Sequence, residues 1–304
     1  MLWGERRVAS WQAHLAAFVV RRRVKRRLGD MADLGRVRTV FEGAKPLPVP
    51  GARIRPGEMG GIPGEWVEGH GDAPATLFYL HGGGFIACSP RTHRPITAAF
   101  AAWGFRVFAP DYRLAPEHPF PAAVEDAVAS WRALRASAPG RMVVAGDSAG
   151  GTLALALMLA LRDAGEALPD AAALFSPATD LAGTGASLRD NSRRDAIFRG
   201  DALAHLAVAY LNGADPRAPL ASPLYGDLAG LPPLLIHVGE REVLRDDSVR
   251  LAERARAASV HVELQVWPVV PHVWQFAHTF IPEARRSLTA AAAFLHQAGA
   301  QAAR

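Results

Sequence analysis

The chain has 304 residues, half of them hydrophobic and 21% charged, which are the proportions of a compact globular protein and exclude a disordered or fibrous one. At this length a large core forms without disulfides or a structural metal, and the one cysteine, Cys88, has no partner for an internal disulfide. The net charge of +5 is lopsided: eight basic residues against Glu5 and Asp30 place +6 on residues 1–30 and leave −1 on the other 274, so the body lacks the basic excess that nucleic-acid binding requires.

Residues 1–30 read as an amphipathic basic helix. Val8, Trp11, Leu15, Phe18 and Val19 recur at three- and four-residue spacing, and Val24 and Leu28 extend the stripe past Arg21, Arg22, Arg23, Lys25, Arg26 and Arg27. The apolar stretch 11–20 falls short of the roughly 20 residues that span a bilayer. Its heaviest positive charge follows the apolar part, the reverse of a secretory signal. Neither export nor a transmembrane anchor is expected, and with the lone thiol this fits a reducing, cytoplasmic setting. The preferred reading is a lid helix packed on the domain with its arginines in water; the alternative is a helix lying on a membrane surface.

A stretch rich in Pro46, Pro48, Pro50, Gly51, Pro56, Gly57, Gly60, Gly61, Pro63 and Gly64 follows and reads as loop. Beyond it, short apolar runs at 75–80, 105–109, 142–145, 172–175, 234–238 and 260–267 read as strands, most of them continuous as in a sheet covered on both faces. Helical patterns at 121–137, 151–164, 245–258 and 282–297 alternate with them, which predicts an α/β fold with a mostly parallel sheet and helices on both faces. The interval 188–212 breaks the alternation with a helical pattern of Ile197, Leu203, Leu206, Ala207 and Tyr210. The expected organisation is therefore a helical cap segment, 1–45, and a catalytic domain, 46–304, with a cap insertion at about 183–215.

Two motifs carry chemistry. Gly146-Asp147-Ser148-Ala149-Gly150-Gly151 stands between a predicted strand and a predicted helix. A serine on such a sharp turn is held in a strained conformation, and the glycines around it leave room for the neighbouring chain. His81-Gly82-Gly83-Gly84-Phe85 follows another strand end, where backbone N–H groups, with that of Ala149, would hold the oxygen of a tetrahedral intermediate. A serine of this kind needs a base, and the base needs an orienting acid. In chain order after Ser148, the acid candidates are Glu240, Glu242, Asp246 and Asp247, and the base candidates are His272 and His278.

From about residue 47 to the C-terminus the sequence resembles the bacterial hormone-sensitive-lipase-like carboxylesterases of the α/β-hydrolase superfamily. The likeness rests on HGGGF at 81–85, DYRLAPEHPFPAA at 111–123, GDSAGG at 146–151, SPLYGDLAGLPPLLI at 222–236 and EVLRDD at 242–247. It implies an α/β-hydrolase fold and hydrolysis of short- to medium-chain esters of small molecules, with no cofactor and no metal. It further implies Ser148 as nucleophile, His272 as base, and Gly83, Gly84 and Ala149 as oxyanion donors, with Gly82 grouped with them and shaping the loop. Many members carry Asp-Pro-Leu where aligning Leu244 places Glu242, so Glu242 leads the acids, with Asp246 and Asp247 where a helix would begin. Asp111, Tyr112, Arg113, Glu117, His118, His93, Arg94 and Asp147 read as structural supports, Trp274 as pocket packing, and Cys88 as a small thiol at a position where relatives often have glycine. An amidase or lactone hydrolase would use the same triad. Plant gibberellin receptors share the fold without the catalytic histidine, so His272 argues against a binding-only role. Homo-oligomer formation is left open by the sequence.

Overall fold

The computed structural model describes residues 8–43, 51–71, 73–137 and 140–302. Glu5, Arg6, Arg7, Pro46, Pro48 and Pro50, which entered the sequence reading, lie outside the described residues.

Eight strands form one sheet: β1 Arg53–Met59, β2 Ile62–Glu68, β3 Ala75–Leu80, β4 Phe105–Pro110, β5 Arg141–Asp147, β6 Ala172–Phe175, β7 Leu234–Gly239 and β8 Val262–Trp267. Their order is β1-β2-β4-β3-β5-β6-β7-β8, antiparallel for β1 with β2 and β2 with β4, and parallel elsewhere. All six predicted strands are present. Every residue of β3, β6 and β7 is buried, and neighbours on one strand feed opposite cores, Leu77 on one face and Phe78 on the other. Helices Ala122–Ser137, Ala149–Asp163 and Arg245–Ala257 cover the Phe78 face, and Arg94–Ala102 and Pro282–Ala302 cover the other.

Two strands and a helix were not expected from the sequence. β1 and the start of β2 lie inside the stretch read as loop, joined at Gly60 and Gly61, whose φ values of 64° and 80° suit a two-residue hairpin turn. β1 is the sheet edge, where Pro56 costs no ladder bond, and a Cβ on Gly64 would stand 2.5 Å from the Ala109 carbonyl oxygen of β4. Arg94–Ala102 buries six consecutive residues, Ile96 to Ala101, and at 9 residues it is shorter than the four helices read from the sequence after it.

The N-terminal helix forms as predicted but turned about its axis. It runs Trp11–Val20, passes through a π-helical stretch, Arg21–Lys25, and ends in a short turn, Arg26–Leu28. Its inward face is alanine: Ala13 is fully buried beside Ile281 and Ala284 of the C-terminal region, with Ala9 and Ala16 against the same cluster. Trp11 and Phe18 point outward, 65% and 56% exposed. Small residues allow the close approach, and Ser10 fixes it by donating from its N–H and hydroxyl to Glu283 at 2.8 and 2.7 Å. No described helix is long and apolar enough to cross a membrane.

The 188–212 interval is not one helix. Two short helices, Ser187–Asp190 and Leu203–Leu211, are joined by turns that Asp195 organises, its Oδ1 accepting from the N–H groups of Ile197 and Phe198 at 2.7 and 2.9 Å. Lys25 reaches this linker from the N-terminal segment: its ammonium donates to the carbonyls of Ser192, Asp195 and Phe198 at 2.7, 2.8 and 2.8 Å. Arg38, on helix Leu34–Glu42, forks onto Glu117 and donates to the Ile86 and Ala115 carbonyls.

Candidate active site

The loops after β3, β5, β7 and β8 all leave the carboxyl edge of the parallel sheet, where ligands bind in open α/β folds. They deliver Gly83, Gly84, Ser148 and His272 to one cavity of about 1240 Å³, lined also by Ala149, Phe198 and Leu206, with Glu242 buried behind His272.

Ser148 sits between β5 and helix Ala149–Asp163 with φ 52° and ψ −121°, a conformation that non-glycine residues adopt only under external constraint. Its surroundings supply that constraint. A Cβ on Gly146 would stand 2.4 Å from the Gly150 carbonyl oxygen, one on Gly150 would stand 2.0 Å from that of Leu80, and the Ser148 N–H donates to the Phe175 carbonyl at 2.8 Å. The turn is as tight as the pattern of glycines implies, and it lifts the hydroxyl into the cavity.

His272 Nδ1 donates to Glu242 Oε2 at 2.6 Å. Glu242 is almost fully buried, and its second oxygen accepts from the Gly239 N–H at 2.6 Å and from the Ser176 hydroxyl at 2.8 Å. Burial alone would lower the His272 imidazole, but the charge and hydrogen bond of Glu242 outweigh it and raise its pKa above the usual 6.5. His272 Nε2 makes no hydrogen bond among the described residues, to Ser148 or to any other group, although both residues line the cavity. Such contacts are often long before substrate arrives.

The other candidates make no hydrogen bond with His272 among the described residues, although Asp247 also lines the cavity. Glu240 is exposed, Asp246 accepts from the Ser187 N–H at 2.9 Å, and Asp247 accepts from the Asp180 N–H at 2.9 Å, both from the first turn of Arg245–Ala257. His278 is turned to the Pro95 carbonyl at 3.0 Å.

On the glycine loop the three N–H groups differ. Those of Gly83, Gly84 and Ala149 make no hydrogen bond among the described residues, and all three residues line the cavity. The Gly82 N–H is committed to Asp147 Oδ1 at 3.2 Å and His93 Nε2 at 3.3 Å, so Gly82 belongs to the frame of the loop and not to its free donors. Gly82 has no room for a side chain, since a Cβ there would stand 2.2 Å from Asp147 Oδ2. Asp147 braces the elbow by also accepting the Tyr79 hydroxyl at 2.7 Å. His81 stacks on Tyr112 at 4.2 Å, and burial pushes it down to about 3, which keeps it neutral. Burial and the nearby Asp147 push the Cys88 thiol up to about 12, so it stays protonated at the cavity wall.

Arg113 holds Asp126 through its N–H and guanidinium, Arg94 pairs with Glu65, and Trp274 packs on Trp267 and lines the cavity. Sequence reasoning missed Ser176, Lys25 and Asp195. Ser176 is an isolated serine after β6, and Lys25 is one cation in a basic run; only Asp195, two and three residues before the N–H groups it binds, left a local turn signal.

A fold of this kind with a serine on a strand-to-helix turn defines an α/β hydrolase, and residues 77–276 match the family model described as the alpha/beta hydrolase fold. The chain is 47% identical over 251 residues to an acetyl-hydrolase of Streptomyces hygroscopicus, covering 81% of this chain and 84% of that one. It is 37% identical to an esterase of Acinetobacter venetianus, covering 81% and 82%. Among solved structures, an esterase from the bacterial hormone-sensitive lipase family is 40% identical with a TM-score of 0.87, covering 96% of this chain and 99% of that one. The chain belongs to this family of esterases within the α/β hydrolases.

Proposed function

We propose that this protein is a serine carboxylesterase that hydrolyses short- to medium-chain carboxylic esters through an acyl-enzyme. The observation that carries the reading is convergence: a strained serine, an imidazole anchored by a buried carboxylate, and three unengaged backbone N–H groups line one cavity.

In this reading His272 Nε2 takes the Ser148 proton as the oxygen attacks the ester carbonyl. Glu242 fixes the Nδ1–H tautomer and stabilises the imidazolium without accepting its proton. The N–H groups of Gly83, Gly84 and Ala149 receive the oxyanion, and the positive N-terminal end of helix Ala149–Asp163 adds to them. The protonated imidazole gives its proton to the departing alkoxide, and the alcohol leaves. Water then attacks the acyl-enzyme, losing its proton to His272, and the acid departs as Ser148 is reprotonated. The acyl group would lie against Phe85, Phe198 and Leu206, and we infer that the N-terminal segment 1–45 and the insertion at about 183–215 together form a cap that sets its length.

An acyl-chain series of p-nitrophenyl esters tests this. Turnover that peaks at acetyl to hexanoyl esters supports the reading, and turnover confined to long emulsified esters or to matched amides overturns it.

A further inference from the structure

The outward row on the N-terminal helix does not end with the helix. Trp11 meets Phe280 edge-on with ring centroids 5.9 Å apart, and Phe280 and Phe276 are themselves exposed. Phe276 also lines the active-site cavity, so Val8, Trp11, Leu15 and Phe18 continue through the two phenylalanines to the rim of that cavity.

Directly along the chain, Arg21, Arg22, Arg23, Arg26 and Arg27 are exposed, and none forms an ion pair among the described residues. The Arg22 guanidinium lies 5.0 Å over the Phe18 ring, which places the start of the cationic cluster on the same face as the apolar row. Residues 8–28 contain no carboxylate. A second copy laid helix to helix would therefore offer the arginines no carboxylate in either orientation, whereas a surface of phosphate groups beside acyl chains complements both halves of the face.

We propose that this face adsorbs to an anionic lipid surface. Trp11, Leu15 and Phe18 enter the boundary between headgroups and acyl chains, and the arginines take the phosphates. Adsorption sets the rim at Phe276 and Phe280 against the lipid, so an ester dissolved in the membrane meets the cavity without crossing bulk water. The contact is a surface one, since the helix is too short to span.

The test reads binding and not turnover, so it stands apart from the esterase reading. Full-length protein is sedimented with vesicles of phosphatidylcholine containing phosphatidylglycerol and with vesicles of phosphatidylcholine alone, at low salt. Wild type pellets with the first, stays in solution with the second, and is released by salt. Each arginine near such a surface contributes roughly a fivefold factor in partitioning, so Arg22→Gln, Arg23→Gln and Arg26→Gln together lower binding by roughly a hundredfold. Combining Trp11→Ser, Leu15→Ser and Phe18→Ser also abolishes binding, and both variants keep the wild-type circular dichroism spectrum and a melting temperature within a few degrees of wild type, which shows that they fold. Wild type that stays in solution with anionic vesicles overturns the proposal. So does binding that survives both sets of substitutions. Light scattering that finds a dimer dispersed by the serine variant overturns it too, by giving the face to a second copy.

Discussion

Glu242 holds His272 by one oxygen and is itself held by two donors on the other: His272 Nδ1 at 2.6 Å on Oε2, and the Gly239 N–H and Ser176 hydroxyl on Oε1. The imidazole is left with a single open nitrogen, Nε2, at the cavity. A glutamate reaches where many relatives are expected to use aspartate because Gly239, three residues earlier, allows it: a Cβ there would stand 2.9 Å from Glu242 Oε1.

The pair fixes a pH dependence. With its pKa raised above 6.5 by Glu242, His272 is protonated below that point, and its proposed role as base requires kcat/KM to fall as pH drops through a value above 6.5. Glu242→Gln removes the charge that favours the imidazolium. The acid limb should move to lower pH and the plateau should fall by about 10³- to 10⁴-fold. A pH profile of both proteins checks it; an unmoved limb would contradict the pairing.

Gly83 and Gly84 should respond differently to alanine. At Gly83, φ is 120° and a Cβ would stand 2.0 Å from the Ala87 carbonyl oxygen, which is backbone and cannot yield. Gly83→Ala should displace the loop and cost about 10²- to 10³-fold in kcat, as loss of one oxyanion donor does. At Gly84 a φ of 65° strains alanine by itself, and the steric obstacle is the Leu206 Cδ1 atom at 2.7 Å, the end of a side chain, so Leu206→Ala should restore only the steric part of the activity lost in Gly84→Ala. Steady-state kinetics of the double-mutant cycle decides, with no rescue expected at Gly83.

Lys25 joins the N-terminal segment to the insertion that carries Phe198, whose ring stands edge-on to His272 at 4.9 Å. The side chain lies partly out of solvent, and desolvation lowers its pKa despite Asp195. Lys25→Met leaves three carbonyls without their cation, a loss of about 2 kcal/mol in holding the N-terminal segment to the 192–198 linker. KM for the preferred ester should rise more than kcat falls. Equal and large losses in both, with an intact fold by circular dichroism, would place Lys25 in a role this geometry does not give it.

What the sequence disclosed follows from where the physics is local. The inner strands are apolar on both faces, and the Ser148 turn demands glycines at fixed offsets, so β3 to β7 and the elbow could be read directly, while β8 at the far edge showed only as a run with valines and a tryptophan. Glu242 and His272 were legible as positions after strand ends; their meeting depends on β7 and β8 being neighbours. The hairpin of β1 and β2 was hidden because its prolines and glycines, which signal loop in isolation, are tolerated at an edge and required where Gly64 touches β4. Periodicity found the apolar row of the first helix but could not say which face packs: alanines with little apolar surface win the inner face because they let the helix sit close to Ile281 and Ala284. Lys25 was invisible for a related reason, since a buried ammonium and a solvated one look alike in a run of arginines.

The most direct test of the account is the fate of Ser148. Wild type mixed with excess p-nitrophenyl acetate should show a p-nitrophenol burst or, if deacylation is fast, a trapped acetyl group on the peptide containing Ser148 by mass spectrometry after acid quench. Ser148→Ala should show neither and lose at least about 10³-fold in kcat/KM while keeping its melting temperature within a few degrees. Wild-type turnover by Ser148→Ala, or acetyl trapped on another residue that is required for turnover, would contradict the central claim.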